Sequence, residues 1–114
     1  MNTNEKREIR LEFFEPPMCC STGLCGPSVD ENLVQLQADI ETLKAKYPGL
    51  IIQRYMITQQ PLKFRDNPEV YQLVREKGKS TLPITTINGK VIKLRQYPNQ
   101  TEIEQEIAGV ENEN

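Results

Sequence analysis

The residues of this chain that could do distinctive chemistry lie in one short stretch. Cys19, Cys20 and Cys25 are its three cysteines, and all fall in the run Met18-Cys19-Cys20-Ser21-Thr22-Gly23-Leu24-Cys25-Gly26. There is no histidine, which removes the commonest physiological acid–base group and the commonest nitrogen ligand together. Hydrolase triads that rely on histidine are excluded, and the chemistry open to the stretch is that of thiols. Cys25 stands two positions before Pro27, at the mouth of an expected helix. There, free N–H groups carry partial positive charge that favours a thiolate. A thiolate is both a nucleophile and a soft ligand, so three uses have to be weighed.

The first is thiol–disulfide exchange, which ordinarily runs on Cys-x-x-Cys with one thiol attacking and the other resolving. Here four residues separate Cys20 from Cys25 and five separate Cys19 from Cys25. Adjacent cysteines pair poorly, and the odd count leaves one thiol over. The second is structural zinc, which takes four ligands from Cys and His. With three thiols and no imidazole, Glu15 or a second chain would have to complete that set. The third is a soft ion that wants three sulfurs, because thiolates select soft acceptors over hard ones. Trivalent arsenic and antimony take three ligands in a pyramid, with a lone pair in the fourth direction. Three thiolates match that count and neutralise the ion, whereas Cu(I) is usually satisfied by two. The bland alternative is three small buried apolar side chains, which clustering in a Gly- and Ser-containing loop disfavours.

The elements around the stretch are legible from local pattern. Ile9, Leu11 and Phe13 alternate with Arg10, Glu12 and Phe14, the pattern of a strand whose end is apolar on both sides. Pro16 and Pro17 stop it. Pro27 and Ser28 open a helix of about 19 residues, with Ser28 and Glu31 spaced as a capping box. Val29, Leu33, Leu36, Ile40, Leu43 and Tyr47 form its apolar face, and Pro48-Gly49 ends it. Leu50 to Met56 begins as the continuous apolar run expected of a buried parallel strand. Asn67-Pro68 opens a second helix with Val70, Leu73 and Val74 inward, closed by Gly78. Asn88-Gly89 joins Ile84–Ile87 to Lys90–Leu94 as a hairpin. Asn99 and Thr101 are candidate caps for a last helix with Ile103 and Ile107 inward. The order β-α-β-α-β-β-α predicts an α/β, thioredoxin-like fold, a four-stranded mixed sheet with flanking helices. In that fold the thiols sit between the first strand and first helix, and Pro83 sits where a cis-proline is carried.

A chain of 114 residues makes one domain, expected over 9–108, with 1–8 and 109–114 as flexible ends. The formal net charge of −2 argues against wholesale binding to nucleic acid, which calls for a basic stripe. No run approaches the roughly 20 apolar residues of a spanning helix, so no membrane insertion is expected. Met1 to Arg10 has no apolar segment behind it and does not read as a signal peptide. Free thiols without an export signal point to the reducing cytoplasm.

The nine-residue cysteine run resembles the motif of the ArsD family, arsenic metallochaperones of arsenical resistance operons. The likeness continues in Val29-Asp30, Gln59-Gln60-Pro61, Leu82-Pro83 and Arg95-Gln96-Tyr97-Pro98, and so spans about Ile9 to Ile107. It implies a protein that is not an enzyme and has no resident cofactor or catalytic residue. As(III) or Sb(III) would be carried on Cys19, Cys20 and Cys25 and handed to ArsA, the ATPase of an arsenite pump. A glutathione-type thiol is the expected donor. The resemblance also implies a homodimer and weak repression of the operon by binding operator DNA. The additional C-terminal cysteine pairs of some members are absent, as is a Gly-x-x-x-x-Gly-Lys phosphate loop. The exposed face of the first helix (Asp30, Glu31, Gln37, Glu41, Lys44) is the expected ATPase-docking face.

Overall fold

The computed structural model describes residues 8–18 and 30–111. Four strands make one mixed sheet in the order β2-β1-β3-β4. β1 (Ile9–Glu15) runs parallel to β2 (Leu50–Met56) and antiparallel to β3 (Ile84–Ile87), which pairs antiparallel with β4 (Lys90–Leu94). α1 (Glu31–Lys46) connects the two parallel strands, and α4 (Gln100–Glu111) closes the chain. This is the α/β arrangement expected from the order of elements. α4 continues to Glu111, beyond the expected domain edge at 108.

Each face of the sheet has its own core. Ile9, Leu11 and Phe13 of β1 pack with Leu33, Leu36, Ile40 and Leu43 of α1 and with Ile103 and Ile107 of α4. Phe14 points the other way, into a cluster with Tyr55, Phe64, Val70, Leu82 and Ile84. The Phe13-Phe14 pair at the end of β1 thus fills both cores, as successive strand residues on opposite faces must.

Three local expectations are corrected. Asp30, not Ser28, caps α1: its backbone is extended, and its Oδ1 accepts from the Asn32 N–H at 2.8 Å. Glu31 is therefore the first helical residue, and α1 has 16 residues rather than about 19. Ser28 itself lies outside the described residues. β2 is parallel but lies at the sheet edge, so Leu50, Ile51 and Ile52 are half-buried and only Tyr55 and Met56 are buried. A short helix unanticipated in the sequence, α2 (Pro61–Asp66), precedes α3 (Pro68–Lys77), and its Phe64 anchors the second core.

The remaining local signals hold. Asn67 Oδ1 accepts from the N–H groups of Glu69 and Val70 at the start of α3. Gly78, at φ +79, ends α3 in the left-handed region, where a residue without a Cβ meets no steric cost. A single 3-10 turn, Gly78–Thr81, then leads to a cis Leu82-Pro83 bond. At α4, Asn99 wins over Thr101 as cap. Its Oδ1 accepts from the Glu102 N–H and its own N–H donates to Glu102, both at 2.8 Å, which is a reciprocal capping box.

Candidate functional site

Cys19, Cys20 and Cys25 lie outside the described residues. What the structure describes is the frame at both ends of their segment. The segment leaves from Met18, just beyond the C-terminal end of β1, and rejoins the fold at Asp30, the cap of α1. Because β1 and β2 are parallel, Met56 ends beside Glu15, and the Met18 N–H meets the Met56 Sδ at 3.4 Å. β3 is antiparallel to β1, with Ile84 opposite Phe14, so cis-Pro83 comes to this same end of the sheet. Arg95 follows the end of β4 with φ +69, and its N–H donates to the carbonyls of Thr81 and Pro83. Met18, cis-Pro83 and the 95–99 loop thus lie at one end of the sheet.

A cleft of about 610 Å³ opens at this end. Pro16, Met18 and Asp30 line it where the thiol segment departs and returns. α1 contributes Leu36 and Asp39 to its lining among others, and Pro83 with Arg95 to Asn99 contributes the rest. Asp39 is 6% exposed and accepts one hydrogen bond among the described residues, from Gln35 Nε2 at 2.9 Å.

Beneath the cleft lies a buried charged network that the sequence did not announce. Glu15, the last residue of β1, is wholly buried. The Arg54 Nε and Nη2 donate to its two oxygens at 2.7 and 2.6 Å, and the Tyr97 hydroxyl donates to Oε1 at 2.6 Å. Burial works against the Arg54 charge, but hydrogen bonding and attraction to Glu15 outweigh it and raise its pKa. Tyr97 is pushed far above the ordinary phenol, first by burial and then by the Glu15 charge. Two-toothed arginine–carboxylate pairing fixes both partners in orientation. The network therefore pins β2 and the 95–99 loop to Glu15, the C-terminal residue of β1. It also bears on zinc, since both Glu15 oxygens are already engaged. Among the described residues, no group of three His, Cys, Asp or Glu side chains is placed to hold a metal ion.

Signals for this network were weak. Glu15 and Arg54 are 39 positions apart and Glu15 and Tyr97 are 82 apart. Only a charged residue closing an apolar strand hinted at a buried partner. On the expected docking face of α1, Asp30, Glu31, Glu41 and Lys44 are exposed and Gln37 is half-buried. No helix among the described residues is long and apolar enough to cross a membrane.

A four-stranded mixed sheet with flanking helices, carrying its cysteine run in sequence between the first strand and the first helix, defines a thiol-bearing α/β protein. Comparison with known proteins sharpens this. Residues 9–114 match the family model described as arsenical resistance operon protein ArsD. An Escherichia coli protein named arsenical resistance operon trans-acting repressor ArsD is 36% identical over 93 residues, 82% of this chain and 76% of the relative. A putative arsenical resistance operon repressor ArsD of Halobacterium salinarum is 32% identical over 94 residues, 82% of this chain and 86% of the relative. The crystal structure of an arsenical resistance operon trans-acting repressor from Bacteroides vulgatus superposes with a TM-score of 0.76 at 30% identity. That match covers 89% of this chain and 93% of the other. The chain belongs to the ArsD family, and its role lies with the arsenical resistance operon.

Proposed function

We propose that this protein is a cytoplasmic metallochaperone that carries As(III) or Sb(III) on the thiolates of Cys19, Cys20 and Cys25. The observation that carries this reading is three thiols, with no histidine, in the run 18–26 of an ArsD-family chain. The sulfur count suits a pyramidal soft ion better than tetrahedral zinc, and both oxygens of Glu15, the carboxylate considered as a fourth ligand, are engaged by Arg54 and Tyr97.

Transfer proceeds one sulfur at a time. A protein thiolate attacks arsenic in a thiol complex such as that of glutathione. One As–S bond forms as another breaks, and the departing sulfur takes up the proton that the protein thiol has lost. No electron changes hands, so neither an oxidant nor an enzymatic step is involved. Three such exchanges load the ion, and three more in the opposite sense deliver it to cysteines of an ArsA-type ATPase. Arsenite titration with free thiols counted should show three thiols lost per bound ion, and loss of fewer would sink the three-sulfur site. Arsenite-stimulated complex formation with the ATPase, abolished in the triple Cys→Ala variant, tests delivery.

A second role as repressor is favoured by the names of the relatives and by one feature of the fold. Lys63, Arg65, Arg75, Lys77 and Lys79 are all exposed on or just beyond α2 and α3, where a phosphate backbone would meet the protein despite its net acidity. Operator binding at physiological salt, lost when these cations are replaced and released by arsenite, supports this role. Salt-independent or absent binding counts against it.

A further inference from the structure

The two edges of the sheet are finished differently. β4 carries exposed Lys90 and half-buried Lys93, and its pairing with β3 is irregular between Thr85 and Thr86. Charged side chains and bulges of this kind keep an edge from pairing with another chain. β2, at the other edge, has seven residues with neither lysine nor proline, and opens on the half-buried apolar run Leu50-Ile51-Ile52. Its one charge, Arg54, is turned to Glu15. The backbone shows which groups face outward. The Ile57 N–H donates to the Glu15 carbonyl at 3.0 Å. Successive residues of a strand alternate sides, so Tyr55, Gln53 and Ile51 turn their N–H and C=O groups toward β1, and Leu50, Ile52, Arg54 and Met56 turn theirs away. The ends of this outward row are closed within the chain: the Leu50 N–H donates to the Tyr47 carbonyl and the Met56 N–H to Gln60 Oε1. Ile52 stands at the middle, with its N–H and C=O directed off the edge of the sheet.

We propose that the β2 edge is a strand-pairing surface whose occupant is the β2 edge of a second copy, so that two four-stranded sheets join into one of eight strands. Identical edges meet antiparallel about a two-fold axis normal to the sheet. The register that uses the whole outward row sets Ile52 opposite its counterpart, each donating its N–H to the other's carbonyl as a hydrogen-bonded pair. Charge permits this meeting at β2 and opposes it at β4. Arg54 is already neutralised by Glu15, whereas two β4 edges would bring two lysines from each copy together. An axis normal to the sheet leaves each face on its own side. α2 and α3 cover the face of Phe14 and Ile84, and α1 and α4 the face of Leu11 and Phe13. The pair therefore carries both α2–α3 surfaces on one side. The exposed cations Lys63, Arg65, Arg75, Lys77 and Lys79 are thereby doubled across the axis, the symmetry by which paired modules engage two half-sites of duplex DNA. That consequence rests on the repressor reading; the interface itself does not.

The test follows the full chain by sedimentation velocity and by amide hydrogen exchange over a range of concentrations. Wild type is expected to dimerise, and the Ile52 amide to exchange more slowly as the dimer fills. Ile52→Pro removes an N–H that faces away from β1, a position where an edge strand accepts proline. It should weaken the dimer about a hundredfold, the scale of losing two hydrogen bonds related by the axis. Gln53→Lys, at an exposed position, should weaken it about fivefold at low salt by setting like charges diagonally across the axis. Thermal melting checks the fold, and Gln53→Lys is decisive if Ile52→Pro does not fold. A monomeric wild type, an Ile52 amide whose exchange ignores concentration, or a dimer unchanged in both folded variants overturns the proposal. Ile52→Pro keeps all five cations, yet should bind a duplex with two half-sites about tenfold more weakly than wild type, as one linked site replaces two. Pairing through Ile52 without any operator binding would instead leave the interface standing and defeat the repressor reading.

Discussion

The two ends of the sheet are built on opposite principles. At the hairpin end, the turn is closed by neutral amide and backbone hydrogen bonds. Asn88 and Gly89 take φ of +51 and +84, as a two-residue hairpin with primed geometry needs. The Asn88 side chain accepts from the Arg10 N–H at 2.8 Å, and its own N–H returns a bond to the Arg10 carbonyl at 2.9 Å. Asn67, already the cap of α3, donates its Nδ2 to the Gly89 carbonyl at 3.1 Å. At the thiol end, by contrast, the fold buries charge. Glu15, Arg54 and Tyr97 share one network, and Asp39 is buried beside a cleft. One end is organised for local closure; the other keeps polar groups in low-dielectric surroundings, where unsatisfied groups cost most and ligands are gripped best. The difference sets the thiol end apart independently of the cysteines.

Four measurements would break or sharpen this contrast. The largest effect is expected from Glu15→Ala, which removes the carboxylate opposing the buried Arg54 guanidinium. Loss of one member of a buried pair costs about 3–5 kcal/mol, read as a lower urea midpoint at constant m-value. A loss below about 1 kcal/mol would place the pair among ordinary surface bridges. Tyr97→Phe should cost about 1–2 kcal/mol by removing a hydrogen bond to a buried charge. Arsenite affinity should fall in this variant and stay level in hairpin-end variants. At the hairpin end, Asn67→Ala should cost about 1 kcal/mol, the worth of a helix N-cap, with arsenite binding unchanged. A change in arsenite binding there would erase the division between the two ends.

The smallest effect concerns pH. Glu102 is held below the usual carboxylate range chiefly by its hydrogen bond with Lys93, and Glu104 by those with Gln100 and Lys46. A depressed folded pKa stabilises above the unfolded value, about 4.3 for Glu, and that contribution is lost as pH falls through the folded value. Both carboxylates are at the surface, so urea midpoints between pH 7 and 3 should show a shallow acid-side decline that salt reduces. At the alkaline side Tyr55, raised to about 12 first by burial and then by Glu12, and Tyr97, raised further, should ionise late. Stability they contribute is present below about pH 10 and fades as pH rises through their folded values. Absorbance titration of the phenols checks this, and all four tyrosines ionising together near pH 10 would contradict it.

Local physics was the legible part of this protein. The caps at Asn67 and Asn99, the Asn88-Gly89 turn, the Gly78 stop and the apolar face of α1 each depend on residues within a few positions of one another. Six-residue α2 escaped notice because one buried side chain, Phe64, and no side-chain cap leave too little periodic signal. The N-terminus of α1 was misplaced because Ser28 and Asp30 are both competent caps, and only the backbone at Asp30 decides between them. An apolar run reports that β2 is a strand but not that it lies at an edge, since edge position is a property of the whole sheet.

By itself the sequence determined the thiol count, the absence of imidazole, the order of elements and the family resemblance, because these are matters of composition, spacing and short-range hydrogen bonding. Tertiary structure alone decided that Glu15 meets Arg54 and Tyr97, and that Asp39 and Arg95 line one cleft. Those partners stand tens of positions apart along the chain. They meet only because strand pairing and two hydrophobic cores carry them to the same end of the sheet, and no periodicity along the chain encodes that meeting.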